Sequence, residues 1–169
     1  MLDKKINLKA FTLIELTIAL ALLALIITIS IPNFWFLSQQ IVASDLEKLH
    51  MTFSYLQQSA ISSNRNYILT FNKSDNSYSY ENRREKLSQG VQFATITRVK
   101  GSPSTNADIV KPITFVNEKI IFYPNGQIQP GSVYLSDTRQ KYLYAITVPI
   151  SQISFIRKYK YQRNKWTLI

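Results

Sequence analysis

The sequence predicts an α+β protein: a long N-terminal helix, its first half membrane-spanning, packed on an antiparallel β-sheet domain. Three observations predict it. The run from Phe11 to Ile31 is almost wholly apolar. Apolar residues then recur mostly at steps of three or four as far as Ala60, the period of a helix with one buried stripe. After Ser62 the period changes, and short runs rich in β-branched and aromatic residues alternate with turn residues, as strands do. A helix followed by strands is an α+β layout.

The first element is FTLIELTIALALLALIITISI, which carries one acid, Glu15, and follows a leader with Lys4, Lys5 and Lys9. A helix rises ~1.5 Å per residue, so about twenty apolar residues cross the ~30 Å hydrocarbon core of a bilayer. An ionised carboxylate in that layer costs roughly 2.5–3.5 kcal/mol on insertion scales. Glu15 therefore needs a partner, and the segment is read as offering none; the alternative is that it snorkels at the membrane interface. The leader lysines precede the segment, and the first basic residues after it are Lys48 and Arg65. The positive-inside rule then places the N-terminus in the cytoplasm and the remaining chain across the membrane. A cleaved secretory signal is the rival, but its apolar region is usually about 7–15 residues long and ends at a small-x-small site. Here the run is longer and meets Pro32 and NFWFLSQQI.

The second element continues the helix. Phe34, Leu37, Ile41, Leu46, Leu49, Phe53, Leu56 and Ala60 form one apolar stripe, with Ser38, Gln39, Asp45, Lys48 and Gln57 between them. Pro32 lacks a backbone donor and is expected to kink the helix. A single helix from Phe11 to Ser62 would be about 75 Å long, too long for a domain of this size to bury. Its first half must be covered by lipid or by other subunits.

The strands follow in order. Asn66–Asn72 and Ser77–Glu81 read as a hairpin about the turn Lys73–Asn76, and Val91–Val99 as a further strand. Gly101–Lys111 is rich in turn residues and reads as a loop. Lys119–Tyr123 leads into the turn Pro124-Asn125-Gly126, with Gln127–Leu135 returning. Tyr142–Val148 and Ile153–Tyr161 complete one sheet. The expected organisation is a leader over 1–10, an assembly helix over 11–31, an amphipathic helix over 32–62 and a β-rich domain over 63–169.

Composition narrows the function. The 169 residues suffice for one domain beyond the apolar segment, and cysteine is absent, which removes disulfides and thiolate metal sites. Net charge is +10, so nucleic acid, anionic lipid and acidic proteins are the natural partners. His50 is the single histidine and lies on the amphipathic helix. No H-E-x-x-H, G-x-S-x-G or P-loop pattern occurs. Glu81 and Glu85 flank Arg83 and Arg84 as a solvated charge cluster, and Asp75 and Asp108 have no acidic neighbour that would make a calcium site. Neither an enzyme nor a cofactor is expected.

At the N-terminus, KAFTLIELTIALALLALIITISIPNF resembles the start of type IV prepilins and pseudopilins. The family pattern is a basic leader, a small residue that is usually Gly, then Phe-Thr-Leu-Ile-Glu-Leu and an apolar helix. Phe11, Thr12, Leu13, Ile14, Glu15 and Leu16 match it in order, Pro32 falls where the family often has a kinking proline, and Ala10 stands where Gly is usual. The resemblance implies cleavage by a prepilin peptidase between Ala10 and Phe11, N-methylation of Phe11, and extraction of the helix into a filament. It also implies that Glu15 pairs with the amino terminus of a neighbouring subunit. SYLQQSAISSNRNYILTF and IIFYPNGQIQPGSVYL are similar to the H-type minor pseudopilins of type II secretion and the FimT-like minor pilins. There Phe122, Pro124, Asn125, Gly126, Gly131 and Leu135 match the family pattern. The family's Gly-Arg-x-Arg element has its counterpart at Ile153–Lys158, without the glycine.

The C-terminal stretch RKYKYQRNK supplies Arg157, Lys158, Lys160, Arg163 and Lys165, interleaved with Tyr159 and Tyr161, and no acid follows Asp137. Two readings stand. The cations form a phosphate-binding surface with aromatics for stacking, or they are the wet side of a last strand whose tyrosines face the core. The expected function is a minor pilin or pseudopilin of a type II secretion or type IV pilus filament. Its expected partners are a prepilin peptidase, other pilin subunits and the inner membrane. The alternatives are a DNA-binding minor pilin of a competence pilus, with DNA as partner, and a plain single-pass anchored protein.

Overall fold

The computed structural model describes residues 12–30, 33–101, 107–150 and 155–169. By contact the chain divides into two compact units, Met1–Leu37 and Ser38–Ile169. The first holds helix α1 (Leu13–Ser30). Helix α2 runs over Asn33–Ser63, so the single expected helix is two elements, and Pro32, read as its kink, lies outside the described residues. Among the described residues no helix is long and apolar enough to cross a membrane. The residues of α1 rise about 27 Å, short of the ~30 Å hydrocarbon core.

In the second unit, α2 is the spine. Val42, Leu46, Leu49, Phe53, Leu56 and Ala60 are fully buried along one stripe. The expected stripe holds from Leu46 onwards and fails at Leu37 and Ile41; the Phe34 side chain lies outside those described. Leu37 and Ile41 are 49% and 38% exposed, and Val42 takes the inward position. The helix ends because Asn64 adopts a left-handed φ of 51°. The Asn64 and Arg65 N–H groups donate to the Ile61 and Ala60 carbonyls at 3.4 and 3.3 Å, a Schellman closure that asparagine tolerates.

Two antiparallel sheets pack on this stripe, where one was expected. The strands of the first are β1 (Tyr67–Asn72), β2 (Ser77–Tyr80), β3 (Arg83–Lys86) and β5 (Lys119–Phe122), in the order β3-β2-β1-β5. The second holds β4 (Val91–Phe93), β6 (Gly131–Asp137), β7 (Leu143–Val148), β8 (Arg157–Gln162) and β9 (Lys165–Leu168), in the order β4-β6-β7-β8-β9. The core joins α2 to both, through Leu69, Phe71, Phe93, Ile120, Phe122, Leu135 and Ile146 among others. Phe53 is its centre, meeting Phe71, Phe115 and Phe122 at ring separations of 6.2, 6.4 and 5.7 Å.

The second sheet is buried on both faces along β6 and β7. Tyr134, Leu143, Ala145 and Tyr159 form a smaller core on the far side with Val99, and Ile96, Ile109, Tyr161 and Trp166 pack against it. Strand β7 is consequently buried at every residue, which explains its nearly continuous apolar run, broken only by Thr147. The cover comes from the stretch expected as the end of a strand over Val91–Val99. That strand stops at Phe93, and Arg98 turns the chain with a φ of 67°.

The Pro-Asn-Gly turn has a local reason for each part. Gly126 has a φ of 81°, a region that disfavours side chains. Its carbonyl accepts from Gln57 Nε2 of α2 at 2.8 Å, fastening the turn to the helix. Gly131 is needed for space, since a Cβ there would collide with the Phe115 ring.

Candidate functional site

Helix α1 begins at a capping box. Thr12 precedes its first residue, and Glu15 stands three places on. The Thr12 N–H and Oγ1–H donate to Glu15 Oε2 at 2.8 and 2.9 Å, and the Glu15 N–H approaches Thr12 Oγ1 at 3.3 Å. The carboxylate thus satisfies donors that a helix start otherwise leaves open. The expectation that the segment offers Glu15 no partner is corrected: Thr12 is that partner, and the T-x-x-E spacing was the signal for it. Every side chain described from Thr12 to Thr28 is exposed, on a helix that is apolar all round. Ala10 and Phe11, the expected cleavage and methylation positions, lie outside the described residues.

The five C-terminal cations are dispersed. Lys158 donates from Nζ to Glu47 Oε1 of α2 at 2.6 Å and is 19% exposed. Lys160 is half-buried on the same face of β8. Arg157 is exposed, with its guanidinium 4.4 Å from the centre of the Phe155 ring. Arg163 sits with Asn164 in the two-residue turn between β8 and β9, both at left-handed φ of 53° and 59°. Lys165 opens β9 and is exposed. The reading of a single wet face is corrected in one respect: Lys158 faces α2, because β8 is a covered strand and not an outer one. Its partner Glu47 is 111 positions away, and nothing local in sequence could have named it.

Further polar groups tie the unit together. Buried Asp45 of α2 accepts from the Ser88 N–H at 2.6 Å and from its hydroxyl at 2.8 Å, with Lys48 Nζ at 3.4 Å. His50 is half-buried beside Glu47 and Lys158. Burial lowers its pKa first and the Lys158 charge lowers it further, against an opposing pull from Glu47. Arg84 of β3 pairs with Asp75, and Glu85 is exposed beside it. Among the described residues no group of acidic and histidine side chains could hold a metal ion.

Among the described residues the arrangement is one of packing and surface. The family model described as "Type II transport protein GspH" matches residues 45–151, well over half of the chain. This chain belongs to the GspH family. The GspH match spans α2 from Asp45 to the end of β7 and so includes the aromatic core, the Pro-Asn-Gly turn and Gly131. Among solved structures, the minor pseudopilin EpsH from the type 2 secretion system of Vibrio cholerae is similar in fold. Its TM-score is 0.51 and its identity 11%, over 69% of this chain and 94% of that one. No curated protein matches the chain. As a GspH-type pseudopilin the protein is a structural subunit of type II secretion, not an enzyme, and its family places it among other pseudopilins in the pseudopilus.

Proposed function

We propose that this GspH-type subunit is made as a single-pass inner-membrane precursor, with residues 1–10 in the cytoplasm and the β-rich domain on the far side. A prepilin peptidase then cleaves it between Ala10 and Phe11, Phe11 is methylated, and the helix starting there moves from lipid into a filament. The supporting observation is α1 itself, eighteen residues with one charge and every described side chain uncovered. Such a helix must be buried by lipid or by neighbouring helices.

Glu15 then has two partners in turn. In the single chain its carboxylate is held by Thr12; in the filament it receives the free amino group that cleavage exposes on a neighbour. A charge pair in apolar surroundings enforces register, because leaving either member alone costs several kcal/mol. The alternative of a DNA-binding competence subunit draws on the same five cations, and the Lys158–Glu47 pair leaves it weaker.

Mass spectrometry of the N-terminus tests the processing step. Ala10→Gly should be processed at least as well as the natural chain, and Ala10→Leu should remain full-length in the membrane. A mature chain that starts anywhere but Phe11 overturns the reading.

A further inference from the structure

Sheets avoid uncontrolled pairing by blunting or covering their edges, and among the described residues three of the four edges are blunted or covered. Strand β3 is short, wholly exposed and charged at every residue, Arg83-Arg84-Glu85-Lys86. Strand β5 is covered by the returning chain, with the Gln129 N–H donating to the Ile121 carbonyl at 2.9 Å and a bridge between Phe122 and Ile128. On β4 the Phe93 N–H is taken by Asn76 Oδ1 at 3.0 Å. Strand β9 is different. It pairs with β8 on one side, and among the described residues its other side makes no backbone hydrogen bond.

The register says which groups it offers. Gln162 pairs with Lys165 across the two-residue turn, Lys160 with Thr167, and the Ile169 N–H donates to the Lys158 carbonyl at 3.0 Å. Backbone groups alternate in direction along a strand, so Trp166 and Leu168 aim their N–H and C=O away from β8. Their side chains share one face. On that face Leu168 is 61% exposed, and Trp166 forms one wall of an open cleft of ≈ 500 Å³ that Tyr161, Asn164, Arg98 and Lys100 also line. The Trp166 ring is held in place: its Nε1–H donates to the Lys100 carbonyl at 2.8 Å, and Tyr161 lies 5.2 Å away, centre to centre.

We infer that β9 is a docking edge for an extended acidic segment of another protein, which adds to the second sheet as a further strand. Free edges commonly bind partners this way: main-chain bonds supply affinity, and pockets for alternate side chains supply selectivity. Here the alternate side chains would meet Leu168 and the aromatic wall. Charge identifies the partner. Arg98 and Lys100 line the cleft beside Trp166, Arg163 stands in the turn before β9 and Lys165 opens the strand. The acid nearest them in the chain pairing is Asp108, bridged to Lys100, so the cations outnumber it. A second copy of this chain is disfavoured, since residues 38–169 carry seventeen Lys and Arg against eight Asp and Glu. A lysine on an edge strand repels a basic strand and attracts an acidic one. The inference stands apart from the filament reading and survives if that reading fails.

The test uses the full chain in neutral detergent micelles and a labelled peptide of alternating valine and glutamate. Its controls are the valine–lysine counterpart and an oligothymidylate. The valine–glutamate peptide should bind, more weakly as salt rises, and the valine–lysine peptide should not. Leu168→Pro removes an outward N–H and should abolish binding without moving the thermal transition. Arg98→Gln with Lys165→Gln should weaken it about fivefold, the scale of two exposed charge contacts. Saturating peptide should slow hydrogen exchange at the Trp166 and Leu168 amides in the natural chain, which decides the matter if Leu168→Pro fails to fold. Unchanged exchange there, binding that survives in a folded Leu168→Pro chain, or tighter binding of oligothymidylate would each overturn the inference.

Discussion

Glu15 illustrates how much one residue's meaning depends on its neighbours. Its lone charge was legible, whereas its local partner was not read, although the T-x-x-E spacing that supplies it stands in the sequence. If its further task is to receive a neighbour's amino terminus, Glu15→Val should reach the membrane normally, since a costly charge is gone. It should be depleted from filaments recovered by shearing and blotting. Thr12→Ala removes a cap worth about 1 kcal/mol but leaves the charge, so it should enter filaments better than Glu15→Val. His50 carries a second prediction. Its folded pKa lies below the ordinary value of 6.5, so the unfolded chain binds the proton more readily. Stability must then fall as pH drops through 6.5 and level off below the folded pKa. His50→Gln should flatten that slope in thermal melts taken between about pH 7.5 and about pH 5. Lys158 was the least legible residue. Its basic neighbours suggested a ligand surface, while its actual partner, Glu47, is brought to it only by the tertiary fold.

At the scale of elements, the helix stripe and most strands were readable because period and turn chemistry are local properties. Strands β1, β2, β5 and β7 fall within a residue of their expected bounds at every end, and the Pro-Asn-Gly turn is where it was expected. The strand read from Gln127 begins only at Gly131, after an isolated bridge at Ile128, and three further readings failed for physical reasons. Strand β3 is all charge, so it has no apolar alternation to reveal it. Strand β9 depends on the Arg163-Asn164 turn, whose left-handed residues lack the glycine that marks such turns. The stretch after Phe93 has a strand's composition but serves as a lid over the second sheet, where apolar residues are equally at home. Packing within elements gives a graded prediction. Phe53→Ala empties the centre of the aromatic core and should cost about 3–5 kcal/mol. Gly131→Ala instead overfills the contact with Phe115 and should cost about 1–3 kcal/mol. Urea unfolding of both variants measures the difference. Gly131→Ala combined with Phe115→Leu should cost less than the two changes summed, because each relieves the other's crowding.

For the whole molecule, the leader, the apolar run and the helix-then-strands order were enough to suggest the family, because these features are written contiguously. The division into two sheets was not legible. It depends on which faces of β6, β7 and β8 are covered, and both are. Charge at this scale belongs to the surface, with cations in wide excess beyond residue 38, and two acids, Asp45 and Asp137, drawn inward at 2% and 5% exposed. Helix α2 has one more consequence, which is mechanical. Its six buried side chains, its Gln57–Gly126 bond, its Asp45–Ser88 bonds and its Glu47–Lys158 pair all cross from the helix to the sheets and the turns between their strands. Tension applied along the axis of α2 loads these contacts side by side, in shear, and cannot open them one after another like a zipper. In optical tweezers, the second unit should yield at a markedly higher force when pulled through residue 38 and residue 169 than through the ends of the β8–β9 hairpin. Comparable yield forces for the two geometries would show that α2 is not the member that bears the load.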